Sequence, residues 1–542
     1  MTDSSATGAT AAGDLDLTAH GHEVAPGLYN EDLRPIHPVH RTWNQRAYLT
    51  LWVAMCMNAA TWTLAASLIA LGMDWIQALF TIVLANLIVL IPMLLNSHAG
   101  AKHGISFPVF ARAAYGVRGA NLPAVMRGLV ACGWFGIQTW FGGLALNLAL
   151  GALIGSSWQN ASTVNLGFFG TLPWTTLLCY LVCVVVQLAI IIRGFDSLRK
   201  FQAFAAPLVL GSVAVMIVCL LFMTKGNLGP VLNEPSSLGW GHDFWVKAFP
   251  PSLMANIAFW STLSLNMPDF TRFAENQAAQ RRGQTWGLPT TMLLVSFMAV
   301  LTTSLAAQHY GVEPAALWNP DQLVSRFGSR IAVVIGALVI VVSSFQTNTA
   351  ANLVSPALDF SNALPKLINF RTGAIIAAVI GTLFLPWKLL ASPEAYVFVW
   401  LGFYGGILGA VGGVLVGDYW LRRKTHLRVP HLFRYRGDYH YAGGWHPRAV
   451  IATILGGFFA VGGAYSAVGA DGHKTGPFPA DGMIPFLKPL YDYNWVVSFL
   501  VGMIAYWLLT LSERTPYETE PFDALHTRAT DFDNPTKEDS TP

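Results

Sequence analysis

Two residues with binding chemistry lie in an apolar stretch from Gly128 to Gly143, which reads GLVACGWFGIQTWFGG. Trp134 and Gln138 are four positions apart, so a helix presents the indole and the amide on one face. Lipid offers an amide no hydrogen bond, and we therefore expect Gln138 to face protein, water or a ligand. Because an intramembrane Gln often bridges two helices and a Trp often fills a gap, this pair alone does not separate binding from packing.

A second group of polar residues lies between positions 343 and 352, inside another apolar segment. Its members are Ser343, Ser344, Gln346, Thr347, Asn348, Thr349 and Asn352. Polar groups at membrane depth usually mark function, which we favour for Thr347 and Asn352, whereas Ser344 and Thr349 more often bond back to the preceding turn. The Thr347 hydroxyl and backbone carbonyls of an unwound segment would suit a small hard cation such as sodium.

The same residues indicate what kind of molecule would bind. The central third of each apolar segment lacks Lys, Arg, Asp and Glu, so we expect a neutral ligand. Gln138 and Asn352 each offer an acceptor and a donor, which matches the alternating N–H and C=O edge of a cyclic imide or ureide. Trp134 and Trp260 could sandwich such a ring.

Two carboxylates lie nearer the cytoplasmic ends of their segments. Asp359 follows Asn352 by seven residues and shares its helix face, and Asp269 follows Pro268. We expect both to act as gates or structural ion pairs rather than as ligand contacts. Since neither lies centrally, a proton relay is hard to place, which favours a metal cation if an ion is coupled.

The elements that must position these residues are membrane helices. Of the 542 residues, 54% are hydrophobic and only 11% are charged, against about a quarter in soluble proteins. Because about 20 apolar residues cross a bilayer, we predict an all-α integral membrane protein. The twelve predicted crossings are 46–71, 75–97, 121–152, 174–193, 201–223, 250–271, 286–308, 330–357, 372–391, 394–421, 447–468 and 493–512.

The distribution of basic residues predicts the orientation. If the chain starts inside, 25 of the 32 Lys and Arg residues fall on the cytoplasmic side and 7 on the other. Cytoplasmic loops collect these residues, so we expect a multi-pass protein of the plasma membrane with cytoplasmic tails at 1–45 and 513–542. The net charge of +3, without basic runs, predicts no nucleic-acid partner.

Interrupted helices predict an internal repeat. Asn58 lies in the middle of the first crossing, where we expect a break near Ala54 to Asn58, and Pro268 kinks the sixth. Breaks at corresponding positions are typical of a transporter's central site. We therefore predict a first five-helix repeat at 46–223 and an inverted second repeat at 224–421. A basic loop and two additional helices follow at 422–512.

Long strings of residues carry a family resemblance. They are RTWNQRAYLTLWVAMCMN from Arg41, HAGAKHGISFPVFARAAYGVRGANLPAVMRG from His98, WFGIQTW from Trp134, LSLNMPDFTRFAE from Leu263 and NTAANLVSPALDFSNALPKLINFRTG from Asn348. With these strings the chain resembles the nucleobase-cation-symport-1 family over roughly Arg34 to Leu511. The resemblance is greatest to the branch of the bacterial allantoin and hydantoin permeases.

The resemblance implies a fold, an activity and a site. The fold would be LeuT-like, with a five-plus-five inverted repeat and two additional C-terminal helices. The activity would be import of a neutral planar heterocycle (allantoin, or a related hydantoin, uracil, cytosine or purine base) by cation symport and alternating access. The implied substrate residues are Trp134, Gln138, Trp260, Asn352 and, in the allantoin branch, Asn58; the fungal uracil branch adds the acid at Asp359.

The resemblance also implies a sodium site, at which this chain departs from the family. The site would comprise the carbonyls of Ala54 and Met57 together with Ser343 and Thr347. Gln346 stands where the family has a second serine hydroxyl. The coupling ion, sodium or a proton, therefore stays open, and no other cofactor is expected.

Other functions weigh less. The sequence lacks HExxH, GxSxG and clustered His and carboxylate residues, so we do not expect an enzyme. A non-transporting nutrient receptor on the same fold and an uncoupled facilitator stay as alternatives. Helix-dimer motifs are weak, and we expect a monomer whose partners are the small-molecule substrate and the lipid bilayer.

Overall fold

The computed structural model describes residues 24–193, 195–466, 474 and 476–513. Residues 1–23 of the predicted N-terminal tail and 514–542 of the predicted C-terminal tail lie outside the described residues. Residues 467 and 468, at the end of the predicted eleventh crossing, also lie outside them.

The described chain is mostly helical. The α-helices of its first half are α1 Gln45–Cys56, α2 Ala59–Ala70, α3 Trp75–His103, α4 Phe107–Tyr115, α5 Asn121–Ile154, α6 Ser156–Gln159, α7 Trp174–Ile192, α8 Phe195–Met223, α9 Gly229–Asn233, α10 Phe249–Phe259, α11 Ser261–Asn266 and α12 Pro268–Thr271. Those of its second half are α13 Gln277–Tyr310, α14 Pro320–Val324, α15 Arg330–Thr349, α16 Ser355–Ala363, α17 Phe370–Thr382, α18 Pro386–Leu389, α19 Gly402–Val416, α20 Pro447–Val461, α21 Lys488–Tyr491 and α22 Asn494–Thr510.

Shorter elements complete the fold. π-Helical turns lie at Asp243–Ala248, Ala350–Val354, Ala395–Leu401 and Gly417–Arg422. 3₁₀ turns lie at Glu31–Leu33, Pro38–His40, Gly167–Phe169, Pro314–Leu317, Val429–Phe433 and Pro485–Leu487. The strands β1 Thr163–Asn165 and β2 Thr171–Pro173 form an antiparallel hairpin in which Val164 is opposite Leu172. This hairpin is an exception to the predicted all-α fold.

Several helices are long and apolar enough to cross a membrane. Within the described residues there are six such helices, and eight spans if each of two bent helix pairs counts as one. The six are Trp75–His103, Asn121–Ile154, Trp174–Ile192, Gln277–Tyr310, Arg330–Ala363 and Ala395–Arg422. A helical, multi-pass membrane protein is thereby confirmed, whereas the number of twelve crossings stays a prediction.

The predicted break in the first crossing is confirmed. Helices α1 and α2 are bent by 60° across Met57 and Asn58. Asn58 has extended backbone angles, and its side-chain oxygen accepts the Thr61 backbone N–H at 3.0 Å. The amide thus caps α2, which satisfies one of the backbone donors that a new helix end exposes inside the membrane.

The ninth crossing differs from its predicted span of 372–391. Helix α17 ends at Thr382, and only the single turn of α18 follows. Leu385 has a positive φ of 54° and precedes Pro386, which has no backbone N–H. Hydropathy alone did not register this local interruption.

Helix α5 occupies the centre of the bundle. It packs against α7, α15, α16 and α17, while α3 packs against α10 to α13. At the crossing of α5 and α17, a Cβ on Gly136 would overlap the carbonyl oxygen of Gly381. Glycine at this position therefore lets the backbone that carries the candidate site residues approach its neighbour closely.

Candidate functional site

Trp134 is enclosed by aromatic rings. It lies in the middle of α5, and its ring meets those of Phe259, Tyr396, Trp400 and Tyr404 edge to face, with centroids 5.0 to 6.3 Å apart. Its indole N–H donates to the Tyr404 hydroxyl at 3.1 Å, and that hydroxyl donates to the Ala258 carbonyl at 2.8 Å. The orientation of the indole is thus fixed by packing and by a hydrogen bond.

Gln138 lies one turn further along α5 and contacts the break in the first crossing. Its Nε2 donates to Asn58 Oδ1 at 3.0 Å. Within the described residues, its buried Oε1 has no hydrogen-bond partner. Asn58 Nδ2 donates to the Met55 carbonyl and the Thr61 hydroxyl, so the Asn58 amide caps α2 and orients Gln138.

Trp260 lies at the junction of α10 and α11. Its ring meets Trp52 and Phe259 edge to face at 5.2 and 4.9 Å. Phe259 therefore contacts both Trp260 and Trp134, the two indoles of the predicted sandwich. The buried indole N–H of Trp260 has no hydrogen-bond partner in the described part of the chain.

Asn352 lies in the π-helical turn at Ala350–Val354, a local irregularity that often accompanies functional sites in helices. Its Nδ2 donates to Asn348 Oδ1 at 2.9 Å. Asn348 Nδ2 in turn lies 2.7 Å from Gln187 Oε1 and 3.0 Å from the Thr139 hydroxyl. Asn352 is therefore held by a buried amide network that reaches α5 and α7.

The predicted substrate residues are connected through α5. Gln138 contacts Asn58, Trp134 contacts Trp260 through Phe259, and Asn352 reaches Thr139 through Asn348. A buried polar atom without a partner costs about 1–3 kcal/mol. Gln138 Oε1 and the Trp260 N–H thus offer a ligand one acceptor and one donor in a site with no charged group among these residues.

The two carboxylates lie apart from this group. Asp359 Oδ2 is 2.5 Å from Arg127 Nη1, in an ion pair whose side chains are both fully buried. Asp269 accepts the Phe107 backbone N–H at 2.8 Å and thereby joins α12 to α4. Asp359 is thus placed in an ion pair and Asp269 in a helix-to-helix contact, and a gating role for either stays a prediction.

Of the four predicted sodium ligands, Ala54 and Thr347 are in contact, and hydrogen bonds occupy the Ala54 carbonyl. The Ala54 carbonyl accepts Gln346 Nε2 at 2.9 Å and the Thr347 hydroxyl at 3.3 Å. The Ser343 hydroxyl donates to the Ile340 carbonyl within its own helix, and Met57 lies at the break. Sodium binds oxygen lone pairs, and those of the Ala54 carbonyl are both engaged by hydrogen bonds, so this predicted ligand is not free for the ion.

Several residues of the site were missed by the sequence analysis. Gln187 is a single amide in the apolar run of α7, Arg127 lies in the second turn of α5, and Tyr404 lies among glycines in α19. A lone amide or cation in a crossing signals a buried partner. The partner itself was not readable, because Gln187 and Asn348 are 161 positions apart.

Comparisons with known proteins agree on one family. Residues 35–498 match the family model described as permease for cytosine/purines, uracil, thiamine, allantoin. The purine-uracil permease NCS1 of Arabidopsis thaliana is 36% identical over 499 residues, 91% of this chain and 80% of that protein. The allantoin permease of Bacillus subtilis (strain 168) is 36% identical over 489 residues, covering 89% and 93% of the two chains.

A solved structure has the same fold. It is that of Mhp1, a nucleobase-cation-symport-1 family transporter, in a closed conformation with bromovinylhydantoin bound. The TM-score is 0.66 at 23% sequence identity, and the alignment covers 89% of this chain and 94% of that one. At this identity the likeness concerns the fold alone.

Proposed function

Because this chain belongs to the family of permeases for cytosine/purines, uracil, thiamine and allantoin, and is a membrane transporter rather than an enzyme, we propose that it imports a neutral planar nitrogen heterocycle. Allantoin is the first candidate, and hydantoins, uracil, cytosine and purines are related ones. The names of the two relatives at 36% identity, an allantoin permease and a purine-uracil permease, support this range.

One observation carries the proposal: Gln138, which contacts the break in the first crossing, and Trp260, which lies at the break between α10 and α11, each keep a buried polar atom unpaired among the described residues. Gln138 Oε1 accepts and the Trp260 N–H donates, as the edge of a cyclic imide or ureide requires. An apolar ligand would leave both atoms unsatisfied. A charged ligand would find no counter-ion among Trp134, Gln138, Asn352 and their contacts.

The enclosure of these residues supports alternating access. Each of the five predicted substrate residues has only 2% to 6% of its surface exposed; they are Asn58, Trp134, Gln138, Trp260 and Asn352. A ligand can reach such a site only if the surrounding helices move. The Arg127–Asp359 pair and Asp269 lie where movement of α16 and α12 against α5 and α4 would break contacts, and we assign them the gating role.

The finer architecture belongs to the same proposal. The first predicted crossing is interrupted after α1 and the sixth after α10, and a pair of interrupted helices supports twelve crossings with a five-plus-five inverted repeat at 46–223 and 224–421. Residues 422–512 then add the last two crossings. The bias in Lys and Arg supports cytoplasmic tails at 1–45 and 513–542, and the protein would act as a monomer.

Uptake by purified protein tests the proposal. Proteoliposomes would be assayed with radiolabelled allantoin, uracil and hydantoin, using wild type, Gln138→Ala and Asn352→Ala. We expect both variants to abolish uptake while keeping wild-type abundance. Asn86→Ala is the control, because Asn86 is also buried in a crossing but its Nδ2 donates within its own helix, to Ile82.

The outcomes separate the alternatives. Unchanged uptake in both variants would refute the site. Binding of a probe without uptake would identify a receptor, and uptake that stops at equal concentrations under any ion gradient would identify a facilitator.

A further inference from the structure

The break in the first crossing is tied to α15 through a single oxygen. Ala54 lies in the last turn of α1, where carbonyls lack partners within the helix. Its oxygen receives the Gln346 amide at 2.9 Å and the Thr347 hydroxyl at 3.3 Å. Ala54, Gln346 and Thr347 are all buried, so water does not compete for these bonds.

The identity of the donor follows from the acceptor. A carbonyl oxygen accepts hydrogen bonds only, so the Gln346 group that faces it must be the NH₂ end of the amide. An NH₂ group presents partial positive charge and has no lone pair for a metal ion. A cation would link α1 and α15 by binding oxygens from both helices. Here the neutral Gln346 side chain links them instead, through its N–H bond to the Ala54 carbonyl.

We propose that the Gln346 amide takes the place of a coupling cation between α1 and α15, so that substrate import by this chain does not require sodium. The inference rests on the proposed transport function, because it concerns what drives that cycle. The link is built into the chain, and it forms whenever α1 and α15 come together. Gln346 Oε1 is buried without a partner among the described residues, so the amide is not held there by a competing bond.

The other candidate ion ligands and the two carboxylates have partners of their own. The Ser343 hydroxyl is bonded to Ile340 within its own turn. The carboxylates Asp359 and Asp269 bond Arg127 and the Phe107 amide instead. A sodium ion at Ala54 would therefore have to displace two hydrogen bonds, with no carboxylate from these residues to favour it.

Sodium binding and sodium dependence are measured separately. Thermal unfolding of purified protein in sodium chloride and in choline chloride reports binding, because a ligand of the folded state raises the melting temperature. Wild type should melt at the same temperature in both salts. The second measurement is the initial uptake rate of whichever of the three probes wild type transports. This rate should also be the same with either salt outside the proteoliposomes.

The variant Gln346→Ser tests the opposite case, in which an oxygen ligand replaces the amide hydrogens. The serine oxygen is a potential ligand, and its short side chain removes one of the two hydrogen bonds to the Ala54 carbonyl. We expect uptake by this variant to fall about tenfold in choline, because the buried link is lost, and to recover in part with sodium. Its melting temperature should rise in sodium. Gln284→Ser is the matched control, because Gln284 is an equally buried amide that bonds Ser97 and Gln280, and it should acquire no sodium response.

The results are decisive in either direction. A sodium-dependent melting temperature or uptake rate in wild type would overturn the proposal, as would a Gln346→Ser variant with wild-type uptake in choline. If none of the three probes is transported in either salt, the proposed transport function fails. The melting comparison then still decides whether Gln346 excludes sodium.

Discussion

The Asn348 side chain donates to Gln187 at 2.7 Å while its own oxygen accepts Asn352, so one amide on α15 joins α7 to the candidate substrate residue. Asn348 Nδ2 also lies 3.1 Å from the Phe135 carbonyl on α5. An amide bonded at both ends can orient a neighbour, because rotation would exchange donors and acceptors. We therefore expect Gln187 to act on the candidate site through Asn348.

Replacing Gln187 by methionine tests this positioning role. The side chain keeps its length but loses the acceptor for Asn348 and the donor for Thr139. A lost partner in a buried network costs about 1–3 kcal/mol, so we expect KM for uptake to rise about tenfold. The check is uptake kinetics at matched protein abundance. An unchanged KM together with a lower melting temperature would mean that the network supports only the fold.

Tyr404→Phe should weaken substrate binding through Trp134. The change removes the hydroxyl that accepts the Trp134 indole N–H, leaving that N–H unpaired while the ring stays in place. We expect KM to rise severalfold. Tyr396→Phe is the control, because the Tyr396 ring also contacts Trp134 but its buried hydroxyl has no partner among the described residues. Equal effects of the two changes in uptake assays would argue against the hydrogen bond.

The sequence predicted those features that depend on local chemistry. An amide in the middle of an apolar segment has to find partners, and Asn58 finds one by starting a new helix at the place where the break was expected. The polar cluster around Asn352 is likewise buried. Both follow from the cost of leaving an amide unpaired in lipid.

The features that depend on distant contacts were out of reach. The Arg127–Asp359 pair joins residues 232 positions apart, and sequence alone did not indicate that Arg127 would turn inward. The sequence left open whether Gln346 coordinates an ion. The direction of its amide is set by the position of the Ala54 carbonyl, which no local pattern encodes.

Asp321 should make the stability of the protein depend on pH. This residue lies in α14, between two membrane-crossing helices, and burial raises the pKa of its carboxyl to about 6. A raised pKa means that the folded state holds the proton more tightly than the unfolded state. The stabilisation is therefore complete below the usual pKa near 3.8 and is lost as the pH rises through about 6.

We expect the melting temperature of wild type to fall between about pH 3 and about pH 7 by several degrees more than that of Asp321→Asn, which stays neutral throughout. Glu234→Gln, at an exposed carboxyl, is the control and should follow wild type. Parallel profiles for wild type and Asp321→Asn would show that this carboxyl does not contribute.

The Arg127–Asp359 pair should behave as a coupled unit. Removing one partner of a buried ion pair costs about 3–5 kcal/mol, because the other charge is left without compensation, whereas replacing both by apolar residues is often neutral. We therefore expect Arg127→Met and Asp359→Leu each to lower the melting temperature and the abundance of the protein. The double variant should recover most of both.

Transport by the double variant then separates stability from gating. If the pair holds α5 against α16 in one state of the cycle, the stable double variant should import substrate more slowly than wild type. An apolar contact gains nothing from water when the helices separate, whereas the charges of the buried ion pair regain their hydration. The measurement is the initial uptake rate per folded protein. Wild-type uptake by the double variant would assign the pair a structural role only. A loss of stability in the double variant equal to the sum of the two single losses would contradict the coupling itself.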